Sequence, residues 1–92
     1  MDAEVTNNES LGQYELTIDG HTALAAYKDR GDHLTFYHTE VPEALEGHGV
    51  GKRLIKAALD DVRRRGLKVV ATCPFVYHYI DTHPEEQDLL LR

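Results

Sequence analysis

One cysteine, Cys73, stands among 92 residues, and a single thiol cannot close an internal disulfide. That removes the small secreted scaffolds held by bridges and makes a reducing, cytoplasmic setting the expectation. No apolar run approaches the roughly 20 residues that cross a bilayer, so no membrane partner is expected. The opening MDAEVTNNESLGQ is acidic and polar, unlike a signal or transit peptide. Basic residues are also scarce: Lys and Arg number 10 against 16 Asp and Glu, a net charge of -6. Phosphate contacts need lysine and arginine, so a nucleic-acid partner is not expected either. The chain has room for one domain with one core, and not for a deep enclosed substrate chamber besides.

What is there is unevenly spread. Residues 1–46 hold 10 acids and 2 bases, and residues 47–92 hold 6 acids and 8 bases. An anionic ligand is favoured where the basic excess begins, and a cationic one nearer the first half. Residues 1–11 carry almost nothing apolar and read as a flexible acidic tail. Residues 12–92 then form a single domain.

Within it the hydrophobic period changes. Tyr14, Leu16 and Ile18 alternate with Gln13, Glu15 and Thr17, the pattern of a half-buried strand. Asp19-Gly20 signals a type I′ turn into a second strand near residues 21–28. Asp29-Arg30-Gly31-Asp32 turns the chain again. In residues 33–39, Leu34, Phe36 and His38 alternate with His33, Thr35, Tyr37 and Thr39, a third strand expected to be covered on both faces. From residue 49 to 65, Val50, Leu54, Ile55, Ala58, Leu59 and Val62 fall three and four apart, an amphipathic helix. Arg63, Arg64 and Arg65, with Lys68 beyond, suit its C-terminal dipole, and Gly66 suits its stop. Residues 67–72 read as a buried strand, and Pro74 can open a second helix to Asp81. His83-Pro84 breaks that helix, and residues 85–91 form a last short one, its Leu89, Leu90 and Leu91 pinned to the core. The fold class is therefore α+β: an antiparallel meander, a long helix, a strand and C-terminal helices.

The most informative segment is Glu46-Gly47-His48-Gly49-Val50-Gly51-Lys52-Arg53. Glycine in a helix costs about 1 kcal/mol relative to alanine, so Gly49 and Gly51 are poor structural choices at the helix mouth. Bare backbone there lets a phosphate approach the unsatisfied amides of the first turn, and Lys52 and Arg53 add cationic reach. Neither the ATPase phosphate loop nor the dinucleotide fingerprint has this spacing. A flexible turn, or close helix–strand packing, would use the same glycines.

Glu46-x-x-Gly49-x-Gly51 resembles the Arg/Gln-x-x-Gly-x-Gly/Ala motif of the GNAT superfamily of acetyl-coenzyme A-dependent N-acetyltransferases. The wider resemblance is to its small members, in which HTEVP, G-x-G-x-G and CPF stretches follow in order. Here these are residues 38–42, 47–51 and 73–75, and the likeness covers about residues 12–91. It implies a compact GNAT-like fold and acetyl-coenzyme A as co-substrate, with the backbone of Gly47, His48, Gly49, Val50, Gly51 and Lys52 clasping pyrophosphate. Residues 34–39 would meet the pantetheine arm. Glu46 departs from the motif by placing a carboxylate near a polyphosphate.

Three side chains invite chemistry. Cys73, before a proline-led helix, is a candidate nucleophile or a small buried hydrophobe. His38 is a candidate base, with Glu40 or Glu43 orienting it, or a satisfied strand histidine. Tyr77 is a candidate wall for the coenzyme, or core. Cys73, His78 and His83 offer at most three ligands at C-x4-H-x4-H spacing, so no metal is expected. The expected activity is acyl transfer to a primary amine of a small-molecule or protein acceptor, by a monomer or homodimer. The alternative is a coenzyme A-binding or interaction module without turnover.

Overall fold

The computed structural model describes residues 4–91. Among them, five strands form one sheet in sequence order: β1 (Thr6–Asn8), β2 (Gln13–Ile18), β3 (His21–Asp29), β4 (His33–Glu40) and β5 (Lys68–Ala71). The first four are antiparallel, and β5 lies parallel to β4. A parallel neighbour cannot be reached by a hairpin. The chain crosses over through a 3-10 turn (Glu43–Leu45) and the long helix α1 (Val50–Arg64). After β5 come α2 (Pro74–Asp81) and a 3-10 segment (Pro84–Leu89).

Local signals set several boundaries. Asp19 and Gly20 both take positive φ, at 51° and 79°, as a type I′ turn requires. At the end of α1 the Leu67 N–H donates to the Val62 C=O and the Gly66 N–H to the Arg63 C=O, each at 3.1 Å. This is the paired closure that a glycine at the C′ position makes.

Tyr14 and Leu16 of β2 stand opposite Ala25 and Ala23 of β3, and Tyr27 stands opposite Phe36 of β4. These residues share one face and are buried. Small alanines in the middle strand leave space for α1, whose Leu54, Ile55, Ala58, Leu59 and Val62 fill it. Burial of each of the four larger ones, Leu54, Ile55, Leu59 and Val62, contributes roughly 1.5–3 kcal/mol. The rings of Tyr14, Tyr27 and Phe36 meet at 5.4–6.1 Å. The Tyr14 hydroxyl donates to Asp61 on α1 at 2.6 Å, fixing helix to sheet. Cys73, Val76, Tyr79, Ile80 and Leu89 join the same core. Both helices therefore lie on one face.

Four expectations need correction. Within the segment read as a tail, Thr6–Asn8 is a strand: Thr6 pairs with Glu15, Asn8 with Gln13, and the Tyr27 hydroxyl donates to Asn7 at 2.6 Å. Residues 1–3 lie outside the described residues. Strand β4 is not covered on both faces, since the helices occupy one and Tyr37, His38 and Glu40 are exposed. Its phase also breaks. Tyr27 pairs with Phe36 and Ala26 with His38, which leaves Tyr37 as the extra residue of a bulge. Beyond it Thr39, opposite Ala25, joins the helix face, and His38 and Glu40, opposite Ala26 and Leu24, stand on the other. Finally, the C-terminal helix is the 3-10 segment named above, and of its three leucines Leu91 is 44% exposed. Leu90 instead bridges to Val69, with the Leu91 N–H donating to the Val69 C=O at 2.9 Å.

Candidate functional site

Strand β4 outruns its neighbour. The β4–β5 register ends with Phe36 opposite Ala71, and the Thr72 and Cys73 amides both converge on the Phe36 C=O, at 3.0 and 3.1 Å. There the chain turns away into α2, led by Pro74 at its first position with Cys73 as the N-cap residue. The β4 edge from Tyr37 to Glu40 extends past the last β5 partner. Main-chain donors and acceptors along such an edge can pair with an extended, amide-bearing ligand as with a strand.

The two faces of β4 flank this edge with different chemistry. On the helix face the Thr39 Oγ1 lies 3.4 Å from the Cys73 Sγ, and Cys73 is 5% exposed. On the other face the His38 Nε2–H donates to Glu40 at 2.8 Å, both side chains being more than half exposed. The bulge at Tyr37 thus sets Cys73 and His38 on opposite sides of one strand edge. Thr39 was not singled out from the sequence, because simple alternation puts it on the wrong face.

The glycine segment meets the chain one residue past this edge: Val41, next after Glu40, lines a cleft with Gly47, Gly49 and Gly51. Gly49 caps α1 at φ 70° with no side-chain cap, a left-handed conformation that costs other residues roughly 1–2 kcal/mol. The first rung of the helix runs from the Arg53 N–H to the Gly49 C=O at 3.1 Å. The amides of Val50, Gly51 and Lys52 therefore precede the ladder, and that of Arg53 belongs to it. Gly47, His48, Gly49 and Lys52 are exposed, while Val50 and Gly51 are packed. The reason for Gly51 is not bare backbone alone. A Cβ there would meet the Phe75 Cζ at 2.7 Å and the Val41 Cγ2 at 3.3 Å, so this glycine lets α2 approach α1.

A cleft of about 230 Å³ opens at this point, lined by Val41, Glu46, Gly47, Gly49, Lys52 and Phe75, with Gly51 at its floor. Phe75, which sequence reasoning left as part of a motif, is the aromatic group here and is 42% exposed. Tyr77 lies elsewhere: it lines a separate cleft with Ile80, Asp81, Gln87 and Leu90. On a helix, Phe75 and Tyr77 point about 200° apart. The structure thus gathers the glycine loop, Lys52 and Phe75, and does not bring Tyr77 to them. Arg53 is exposed on the first turn.

Known proteins resemble this chain in sequence and fold. The family described as GCN5-related N-acetyl-transferase matches residues 13–89. Protein NATD1 of Homo sapiens is 46% identical over 88 residues, which cover 92% of this chain and 78% of that one. Protein NATD1 of Xenopus tropicalis is 44% identical over 88 residues, covering 92% and 81%. The fold is shared with a GCN5-like protein of Staphylococcus aureus, solved in solution by NMR. The TM-score is 0.74 at 29% identity, over 97% of this chain and 88% of that one.

Proposed function

This chain belongs to the GCN5-related N-acetyl-transferase family, and from that premise we propose that it moves the acetyl group of acetyl-coenzyme A onto a primary amine. The α+β, GNAT-like fold carries that family's chemistry, acetyl transfer, in which acetyl-coenzyme A is the usual co-substrate. One observation supports the reading above the others: the unpaired β4 edge and the exposed glycine loop adjoin. An extended arm with amides can pair along residues 37–40 while a pyrophosphate meets the amides of residues 48–52. Lys52 and Arg53 supply positive charge beside them.

On this reading the amine nitrogen attacks the thioester carbon, the C–S bond breaks, and the proton lost by the amine returns to the departing thiolate. A β4 edge amide donates to the carbonyl oxygen as charge develops there. The attacking amine must be neutral, and His38, held by Glu40, accepts its proton on the uncovered face. Cys73 is packed against Thr39 on the other side of the edge, which favours direct transfer over an acetyl-cysteine. The net -8 of the first 46 residues favours a cationic amine.

Calorimetry with coenzyme A, followed by acetyl transfer to a panel of amines, tests the proposal. His38→Gln is expected to lower kcat by about a hundredfold. Cys73→Ala is expected to retain activity. Absence of coenzyme binding would overturn the reading outright. Binding without turnover on any amine favours the second reading, a coenzyme-binding module, for which the helix-free sheet face speaks.

A further inference from the structure

A second cleft, of about 100 Å³, shares Phe75 and Lys52 with the cleft at the glycine loop. Its remaining lining is His78, Tyr79, Thr82 and His83. No carboxylate is among these residues, although the chain is acidic overall. Three other clefts each include one or more: Glu4, Asp60 and Asp61 in the first, Asp81 in the second, Glu46 in the third. A lysine and two histidines around a small recess are the composition that takes an anion.

The recess is built rather than incidental. The ring of His83 stacks on Tyr79 with centroids 3.9 Å apart and planes 10° from parallel. A carbonyl can only accept, so the 2.6 Å contact between His83 Nδ1 and the Tyr79 C=O puts a hydrogen on Nδ1. Nε2 is then the ring nitrogen left to meet a ligand. Thr82, whose hydroxyl donates to the His78 C=O at 2.9 Å, ties the end of α2 to this stack. Burial first, and then the field of Glu86, raises the Tyr79 phenol, so the ring beneath His83 stays neutral. Lys56, Asp60, Glu85 and Glu86 are the other charged groups near that ring. Asp60 is paired with Lys56 at 2.9 Å and Glu86 with Arg63 at 3.2 Å, which tempers their pull on the recess.

We propose that Lys52, His78 and His83 form a phosphomonoester site that receives the 3′-phosphate at the nucleotide end of coenzyme A, with Phe75 shared between it and the pyrophosphate cradle. This rests on the coenzyme reading above and adds to it a selectivity determinant. Pyrophosphate and 3′-phosphate are separated by one ribose, and the two clefts share one aromatic ring and one lysine. The site distinguishes coenzyme A from its 3′-dephospho form, which keeps the arm, the pyrophosphate and the adenine.

The test is calorimetric titration of the full chain, in a buffer without phosphate, with coenzyme A and with 3′-dephospho-coenzyme A. The variants are His78→Gln/His83→Gln and, separately, His83→Gln, each checked for a native circular dichroism spectrum. The wild type is expected to bind coenzyme A about tenfold more tightly than the dephospho form. The variants are expected to lose most of that ratio, while their affinity for the dephospho form changes about twofold or less. Equal wild-type affinities for the two ligands would overturn this site and leave the coenzyme reading standing. A ratio unchanged in both variants would overturn the residue assignment. Failure of the wild type to bind either ligand would overturn the coenzyme reading itself, and this site with it.

Discussion

Gly51→Ala separates two reasons for a glycine at the mouth of α1. If the residue served only to expose an amide, alanine would keep that amide and gain up to about 1 kcal/mol of helix propensity. The GNAT motif admits alanine at this position. In this chain, however, the new methyl would lie 2.7 Å from the Phe75 Cζ and 3.3 Å from the Val41 Cγ2. Val41 needs to yield by a few tenths of an ångström, but the ring must move. Phe75 is already 42% exposed, so its free direction is outward. Swinging out uncovers about 50 Å² of apolar surface, worth ~1.2 kcal/mol at 25 cal/mol per Å². The single substitution is thus expected to change stability by less than about 1 kcal/mol, two effects of similar size opposing each other.

The opposition shows in a double-mutant cycle. In a Phe75→Ala background the clash is gone, and Gly51→Ala should stabilise by its full propensity gain of about 1 kcal/mol. The coupling between the two positions is then about 1–2 kcal/mol, read from urea midpoints of the four proteins at constant m-value. A coupling below about 0.3 kcal/mol, the range of independent sites, would refute the packing account. The same four proteins report on the site. The displaced ring is expected to weaken coenzyme A binding severalfold in the Gly51→Ala variant while every backbone amide remains.

Glu46→Gln removes the carboxylate that departs from the GNAT motif and lines the cleft with Lys52. At about 8 Å from a pyrophosphate the repulsion removed is worth roughly a two- to fivefold gain in affinity, shrinking as salt rises. An unchanged or weakened affinity at low ionic strength would show that Glu46 does not face the ligand. Tyr14→Phe should cost about 1 kcal/mol near neutral pH through the lost hydrogen bond to Asp61, measured by urea unfolding. It should also change the alkaline limb. Burial first and Asp61 second raise the Tyr14 phenol well above its ordinary 10.0. The folded pKa exceeds the unfolded one, so this stabilisation is whole below about pH 10 and is lost as pH climbs toward the folded value. The slope is up to about 1.4 kcal/mol per pH unit. Tyr14→Phe should flatten it, leaving the smaller contributions of Tyr27 and Tyr79, whose phenols burial also raises. Parallel alkaline losses in both proteins would contradict this.

Features written within a few consecutive residues were legible in the sequence. Asp19-Gly20 specifies its own turn, Gly66 its own helix stop, and the three- and four-residue spacing of Val50, Leu54, Ile55, Ala58 and Leu59 its own buried stripe. Features that depend on a distant partner were not. β1 has no apolar alternation, because its three residues are held by β2 and by the Tyr27 hydroxyl rather than by burial of a face. The need for Gly51 to be small comes from Phe75, on another helix. The phase of β4 is the instructive case. Large groups on both faces left its alternation ambiguous, and the register of β3 decides it, by pairing Ala26 with His38 and leaving Tyr37 over. That single extra residue exchanges the faces of Thr39 and His38. Without it His38 would point into the core beside Cys73 and Thr39 toward solvent, and the edge would carry a buried imidazole in place of an exposed His38–Glu40 pair. The proposed proton acceptor on the uncovered face and the packed thiol on the other are therefore consequences of strand register, which no periodicity in residues 33–40 contains.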